Sequence, residues 1–365
     1  MNLKKYFLLA IATIFANVAI TSCSSDEDEP EIPGNGEVTR KAFILNEGSW
    51  GGNNAGIAMY APNGDADFVG DIYFAKNNAK LGDLANDMIE EDDHLYVLLN
   101  GSKYVARLNK EGVEQARYVV GENDGTPRWV DIEDNYLYVS QYGGKVSKLD
   151  AINLTLVAEY KGGNNLEGVV VEDGKLYVAN AYKVDGSGNY EYNTEVHVVD
   201  AVTMKQVKTI AVTENPERIF EIDDKIYVMS KGNYVEISPS MQVLDVVEGK
   251  SIYITNADKI TEGNNGLIYG VRSAYDANWN LTNEFFTYNP KTGAVEEQSF
   301  LKDAPSIFST IAIYLLEVDE TTGDIYVGTS DYVTTGTIYR FNKNGNLIET
   351  FDSGGINPKT IVFVD

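Results

Sequence analysis

The side chains best equipped for chemistry in this 365-residue chain are aromatic and basic. Trp50, Tyr104, Tyr142, Tyr182, Tyr234, Tyr275 and Tyr332 each follow shortly after one copy of a recurring apolar motif, and Trp279 comes close behind Tyr275. Aromatics make up 11% of the chain, so a five-residue window would hold one roughly half the time by chance. An aromatic after every copy therefore suggests a ring of flat, amphipathic faces for a shared ligand. Ordinary packing competes with this, since Tyr104 and Tyr234 can equally begin strands. Basic residues are few, and Lys103, Arg128, Arg218 and Arg272 fall in the same loops or at the starts of neighbouring strands, Arg128 beside Trp129. Singly, each is explained by an ion pair with the abundant carboxylates; together they could supply hydrogen-bond donors around a funnel. Stacking surfaces edged with donors are the chemistry of binding rather than bond-breaking.

Catalytic sets are hard to assemble. The two histidines, His94 and His197, lack partners at metal-ligand spacing and read as surface or edge residues. The single cysteine, Cys23, lies near the N-terminus, which leaves no thiol nucleophile in the body of the chain and no disulfide framework. Asp83 with Asp87, or Glu214 with Glu217, could act as acid and base, but such pairs are expected by chance among 55 acidic residues. No full calcium-loop spacing occurs. No catalytic residue, catalytic cofactor or metal ligand is assigned. A net charge of −26 argues against nucleic acid, whose phosphates need clustered Lys and Arg.

The elements that would position these side chains follow from an internal repeat. Leu95-Tyr96-Val97, Leu137-Tyr138-Val139, Leu176-Tyr177-Val178, Ile226-Tyr227-Val228, Ile268-Tyr269-Gly270 and Ile325-Tyr326-Val327 share one pattern, with Phe43-Ile44-Leu45 as a degenerate first copy. Each follows a tight acidic or Gly-containing turn and precedes another strand-forming run, such as 145–150. A further strand begins about ten residues earlier, marked by Pro127, Pro216 or Leu166, and no sustained helical period intervenes. Four antiparallel strands per repeat predict an all-β, seven-bladed β-propeller over residues 41–365. The first repeat lacks its innermost strand, and residues 357–364 read like the missing piece, so the C-terminal strand is expected to close the ring.

The short, regular turns at 91–93, 133–135, 172–174 and 223–224 predict a structural face. Residues 181–193 and 272–283 read as insertions, and 301–309 as a long connection, on the opposite face, the expected binding face.

The N-terminus carries an address. Lys4 and Lys5 precede an apolar run from Phe7 to Ile20, and Ile20-Thr21-Ser22-Cys23 resembles the lipobox of bacterial lipoproteins. Residues 1–22 are thus expected to be a signal peptide, Cys23 the lipidation site, and 23–40 an acidic flexible linker. The acidic run after Cys23 resembles the surface-export signal of Bacteroidota lipoproteins, which implies an outer-membrane, lipid-anchored protein exposed on the cell surface.

Taken with the Tyr-centred repeats, Pro-Arg-Trp-Val at 127–130 and Leu-Tyr-Val-Ala-Asn at 176–180, these features resemble the YncE-like surface propellers of Bacteroidota, most closely the BtuG cobalamin-binding lipoproteins. The resemblance implies a non-enzymatic protein that captures cobalamin, or a related corrinoid, and delivers it to a BtuB-type TonB-dependent outer-membrane transporter. Because no histidine is expected on the loop face, the cobalt should keep its own lower base. A glycan, a peptide or a protein partner is the alternative occupant. A propeller enzyme, such as a lactonase or quinone-dependent oxidoreductase, is disfavoured by the scarcity of histidine.

Overall fold

The second strand of each repeat is where the sequence speaks most clearly. His94–Leu99, Tyr136–Gln141, Lys225–Ser230 and Ile325–Ser330 are buried along nearly their whole length instead of on alternate residues. A strand covered on both faces needs a continuous apolar run, which is why Leu-Tyr-Val recurs rather than an alternating pattern. The motif tyrosines Tyr96, Tyr138, Tyr177, Tyr227, Tyr269 and Tyr326 are all buried. Outer strands such as Glu114–Val119 alternate, as strands with one wet face do.

The computed structural model describes residues 40–62, 68–276, 278 and 280–364. The signal peptide, Cys23 and nearly all of the acidic linker lie outside the described residues, as does Trp279. Within the described part the chain is a succession of antiparallel meanders. Ala85–Glu91, His94–Leu99, Tyr104–Asn109 and Glu114–Val119 form one four-stranded sheet in sequence order. The pattern repeats through the chain. Two such meanders merge into one eight-stranded sheet through a single parallel pairing, Ala211 with Lys250.

Apolar clusters bind each meander to the next. One joins Phe43 and Ile57 to Met88 and Val97, and another joins Tyr96 to Leu137 and Val139. The sequence of junctions returns to its start, where Ile44 and Ala58 pack with Leu315 and Tyr326. The C-terminal strand Pro358–Val364 pairs antiparallel with Lys41–Asn46, from Lys41 opposite Val364 to Asn46 opposite Pro358. Buried Asn46 donates to the Ser353 carbonyl at 2.8 Å, and Asn357 donates to that of Gly48 at 3.0 Å, so the joint is hydrogen-bonded as well as apolar. This is a propeller-type all-β organisation.

The tight turns at the structural end are two-residue hairpins with both central residues at positive φ: Asp92 and Asp93, Asp134 and Asn135, Asp173 and Gly174, Asp223 and Asp224. Asp, Asn and Gly tolerate that conformation, and its twist matches the flanking strands.

Two expectations need correction. The sheet built on Lys41–Asn46 has three strands, and a short helix, Ile72–Asn77, follows it. Asp71 caps the helix by accepting from the Phe74 amide at 3.0 Å, and Asn78 ends it in a left-handed conformation. Six residues are too few to print a helical period. The insertions at 181–193 and 272–283 are mostly prolonged hairpins, Lys175–Val184 with Tyr190–Asp200 and Ile268–Tyr275 with Leu281–Asn289.

Candidate functional site: a tyrosine-rimmed funnel

The innermost strands sit side by side, Pro127–Glu133 between Ala85–Glu91 and Asn165–Glu172, and Pro358–Val364 between Ala85–Glu91 and Ala312–Val318. Their facing side chains line a cavity of about 450 Å³ that draws Asp87, Trp129, Arg218, Lys259, Tyr314 and Lys359 from separate inner strands. A recess of about 900 Å³ adjoins it, walled by Tyr253, Arg272 and Tyr275, and a narrower one of about 360 Å³ is walled by Tyr142, Tyr182, Tyr190 and Tyr192. Lys231 and Tyr234 line all three, so the three open beside one another.

The prolonged hairpins put the rings there. Pairing of Tyr182 with Tyr192 and of Val184 with Tyr190 carries the tyrosines beyond the body of the sheet. Tyr182 meets Tyr142 with centroids 5.7 Å apart and Tyr190 at 5.2 Å, and Tyr192 meets Tyr234 at 6.0 Å. Across the cavity Tyr314 meets Tyr332 at 5.8 Å. Tyr234, Tyr275 and Tyr332 are each more than half exposed. Tyr234 and Tyr332 also hold φ of 62° and 65°, a left-handed backbone that costs a side-chain-bearing residue about 1 kcal/mol or more. Asn233 and Asp331 enforce it, accepting from the amides of Val235, Glu236 and Ile237 and of Val333 and Thr334 respectively. Two strained, outward-facing tyrosines at one mouth fit a binding role better than a packing role.

Glu167 organises one wall. Buried beneath the narrow recess, it accepts from Arg128 Nε at 2.8 Å, Trp129 Nε1 at 3.1 Å and the Tyr142 hydroxyl at 2.6 Å. Burial, reinforced by the Glu167 charge, pushes the Tyr142 hydroxyl well above its ordinary pKa. Arg218 lies over Trp129 at 4.5 Å and Phe220 at 4.4 Å. Lys231 pairs with Glu217 at 3.1 Å, which raises the lysine's pKa. Burial opposes ionisation of Glu217, yet its pKa is lowered on balance by Lys231. Lys359 bonds Glu47 at 3.2 Å and Asn86 at 3.1 Å. Burial, with Lys231 and Arg218 adding repulsion, brings the Lys259 amine down to about 7. Further along the same inner strands the lining turns acidic: Asp131, Glu133, Glu172 and Glu221 line a cavity of about 430 Å³ that shares Asp87, Trp129 and Arg218 with the first, and burial lifts Asp131 to about 7.

Of the residues singled out from sequence, Arg128, Trp129, Tyr142, Tyr182, Arg218, Tyr234, Arg272, Tyr275 and Tyr332 line the three joined cavities. Trp50, Lys103 and Tyr104 do not. Trp50 stands out in solvent, and Lys103 donates to the Glu122 carbonyl at 3.1 Å. Tyr104 is 4% exposed, with the Arg117 guanidinium 3.7 Å over its ring and its hydroxyl donating to the Leu81 carbonyl. It is a packing residue. Arg272 reaches the wall, but its guanidinium is engaged by Glu297 at 2.6 Å and the Asn256 carbonyl at 2.9 Å. His197 is buried, not a surface or edge residue, with Nδ1 2.8 Å from the Tyr160 hydroxyl and Nε2 3.2 Å from Glu195. Asp83 caps a loop by accepting from Gly51 and Asn53, whereas Asp87 accepts from the Val130 amide at 3.1 Å, so they form no acid–base pair. Glu167, Lys231, Lys259, Tyr190, Tyr192 and Tyr314 were not foreseen. Tyr190 and Tyr192 sit inside a recognised insertion and were findable there.

No protein-family model and no curated protein sequence matches the chain. Solved structures do. Kuenenia stuttgartiensis hydrazine synthase is 14% identical over 73% of this chain and 85% of its own, with a TM-score of 0.58. U3-55K is 10% identical over 73% and 81%, at 0.52. The computationally designed Ika8 protein is 11% identical over 88% and 91%, at 0.53. At these identities the likeness is one of fold, and it agrees with the propeller-type organisation.

Proposed function

We propose that the chain is a seven-bladed β-propeller, closed by its C-terminal strand, that acts as a ligand-capturing surface lipoprotein rather than an enzyme. In this reading Cys23 carries the lipid, and the tyrosine-rimmed mouth receives cobalamin or a related corrinoid for delivery to a BtuB-type TonB-dependent transporter. The observation that carries it is the Lys231–Tyr234 wall common to three adjoining cavities, which brings rings from separate sheets to one opening. A corrin is a broad amphipathic disc edged with amides. A shallow mouth of tyrosine faces, with Asn215, Lys231 and Ser273 among its polar groups, matches that shape and chemistry. Burying on the order of 500 Å² of apolar surface at ~25 cal/mol/Å² yields roughly 12 kcal/mol before ordering costs, which sets about nanomolar affinity as the ceiling for this contribution.

A second reading draws on the narrow recess lined by Tyr142, Tyr182, Tyr190 and Tyr192, whose edge-to-face and tilted rings suit a sugar or peptide side chain. Calorimetric titration with cyanocobalamin, set beside neutral oligosaccharides and a peptide library, decides between them. Saturable binding of cyanocobalamin alone supports corrinoid capture. Heat from an oligosaccharide or peptide, with none from cyanocobalamin, replaces it with the second reading.

A further inference from the structure

We propose that the floor of the funnel is an oxyanion subsite, formed by Arg218 and Lys259, that takes a carboxylate or phosphodiester group carried by the ligand. The net charge of the chain is −26, yet four cations line this one cavity: Arg218, Lys231, Lys259 and Lys359. Two are committed, Lys231 to Glu217 and Lys359 to Glu47. The other two are not. Arg218 rests between the faces of Trp129 and Phe220, and Lys259 has the Tyr314 ring 5.4 Å from its ammonium. Among the described residues neither has a carboxylate within 4.0 Å.

The acids facing the pair are held by other groups. Asp87, on Ala85–Glu91, accepts from two backbone amides, of Met88 and Val130. Glu317, on Ala312–Val318, accepts from Thr261 at 3.0 Å and Thr360 at 3.4 Å. Glu217 is taken by Lys231, and Asp258 accepts from the Ser273 amide at 2.6 Å. A cation partly withdrawn from water without an ionic partner is unfavourable, and an arriving anion relieves that directly. A guanidinium packed between two rings keeps its N–H edge for a forked contact with two oxygens, which a phosphodiester or carboxylate group satisfies. Anion binding also favours the protonated form of Lys259, so it is accompanied by proton uptake near neutral pH. The subsite does not depend on which ring system fills the mouth above it.

The test is calorimetric titration of the protein with dimethyl phosphate and with acetate, both monoanions throughout, at pH 6.5 and 8.5 and against matched sodium chloride. Wild type should bind at least one probe, roughly tenfold more weakly at the higher pH as Lys259 loses its proton. Lys259→Met should abolish that pH dependence, and Arg218→Gln should weaken binding at both pH values. Lys145→Met, distant and paired with Asp124 and Glu159, should change nothing. Preference for dimethyl phosphate identifies a phosphodiester group, and preference for acetate a carboxylate. Failure of both probes to bind wild type, or unaltered binding in both floor variants, overturns the subsite. Anion binding without corrinoid binding leaves the subsite standing and removes the corrinoid reading.

Discussion

Replacing Lys259 with Met leaves a flexible apolar side chain that ends where the ammonium began, and so removes the charge and its donors. A folded pKa of about 7 against the ordinary 10.5 corresponds to about 5 kcal/mol at 1.36 kcal/mol per pH unit. That figure is the whole pH-dependent change, because the shift in pKa and the change in stability are the same free energy. Below pH 7 the lysine is charged in both folded and unfolded chains, and the folded state bears the full penalty of holding an unpaired ammonium. Between pH 7 and 10.5 the unfolded chain binds a proton that the folded chain does not, so wild-type stability from this group rises with pH. Above 10.5 the amine is neutral in both states and the penalty is gone. Lys259→Met should therefore be the more stable protein at pH 6, by about 5 kcal/mol beyond any pH-independent offset from its apolar contacts. Its advantage should shrink steadily through pH 7, 8, 9 and 10. Urea midpoints for both proteins across that series measure the difference directly. A difference that does not change with pH, or a wild type that is the more stable at pH 6, refutes the reasoning.

Three further outcomes follow from the packing. Deleting residues 356–365 removes the strand paired with Lys41–Asn46 and should abolish cooperative unfolding; a melt at the wild-type temperature would show that the ring does not depend on this joint. Glu167→Ala strands the partly buried Arg128 and leaves Trp129 and Tyr142 without their acceptor, a loss of about 3–5 kcal/mol in urea unfolding, and a loss under 1 kcal/mol would contradict the assigned role. Tyr332→Gly relieves a left-handed tyrosine, so stability should hold or rise by up to about 1 kcal/mol while ligand affinity drops; joint loss of both would make Tyr332 a packing residue.

Much of the architecture is legible because it is local. Leu-Tyr-Val runs report strands covered on both faces, paired Asp and Asn residues report hairpins that need positive φ, and Pro358 with its apolar successors reads as an inner strand. The site is only partly legible, for a reason visible in the loops. Tyr234 and Tyr332 occupy the left-handed position themselves and face outward. In the corresponding connection Lys103 takes that position at φ 55°, and Tyr104 becomes the first strand residue, turned into the core. A one-residue offset reverses the side of the sheet a ring faces, and a window of aromatic spacing does not resolve it. The charged floor was invisible for a different cause. Lys231, Lys259 and Lys359 are far apart in sequence, and only closure of the ring brings them to one cavity.

The central claim is that rings from separate sheets converge on one mouth and hold one ligand, and a structure of the protein bound to cyanocobalamin tests it most directly. The expected result is the corrin lying across Tyr234, Tyr275 and Tyr332 with Lys231 beneath it. A ligand seated in the acidic cavity around Asp131 or on the outer strands, with those tyrosines untouched, would contradict the account.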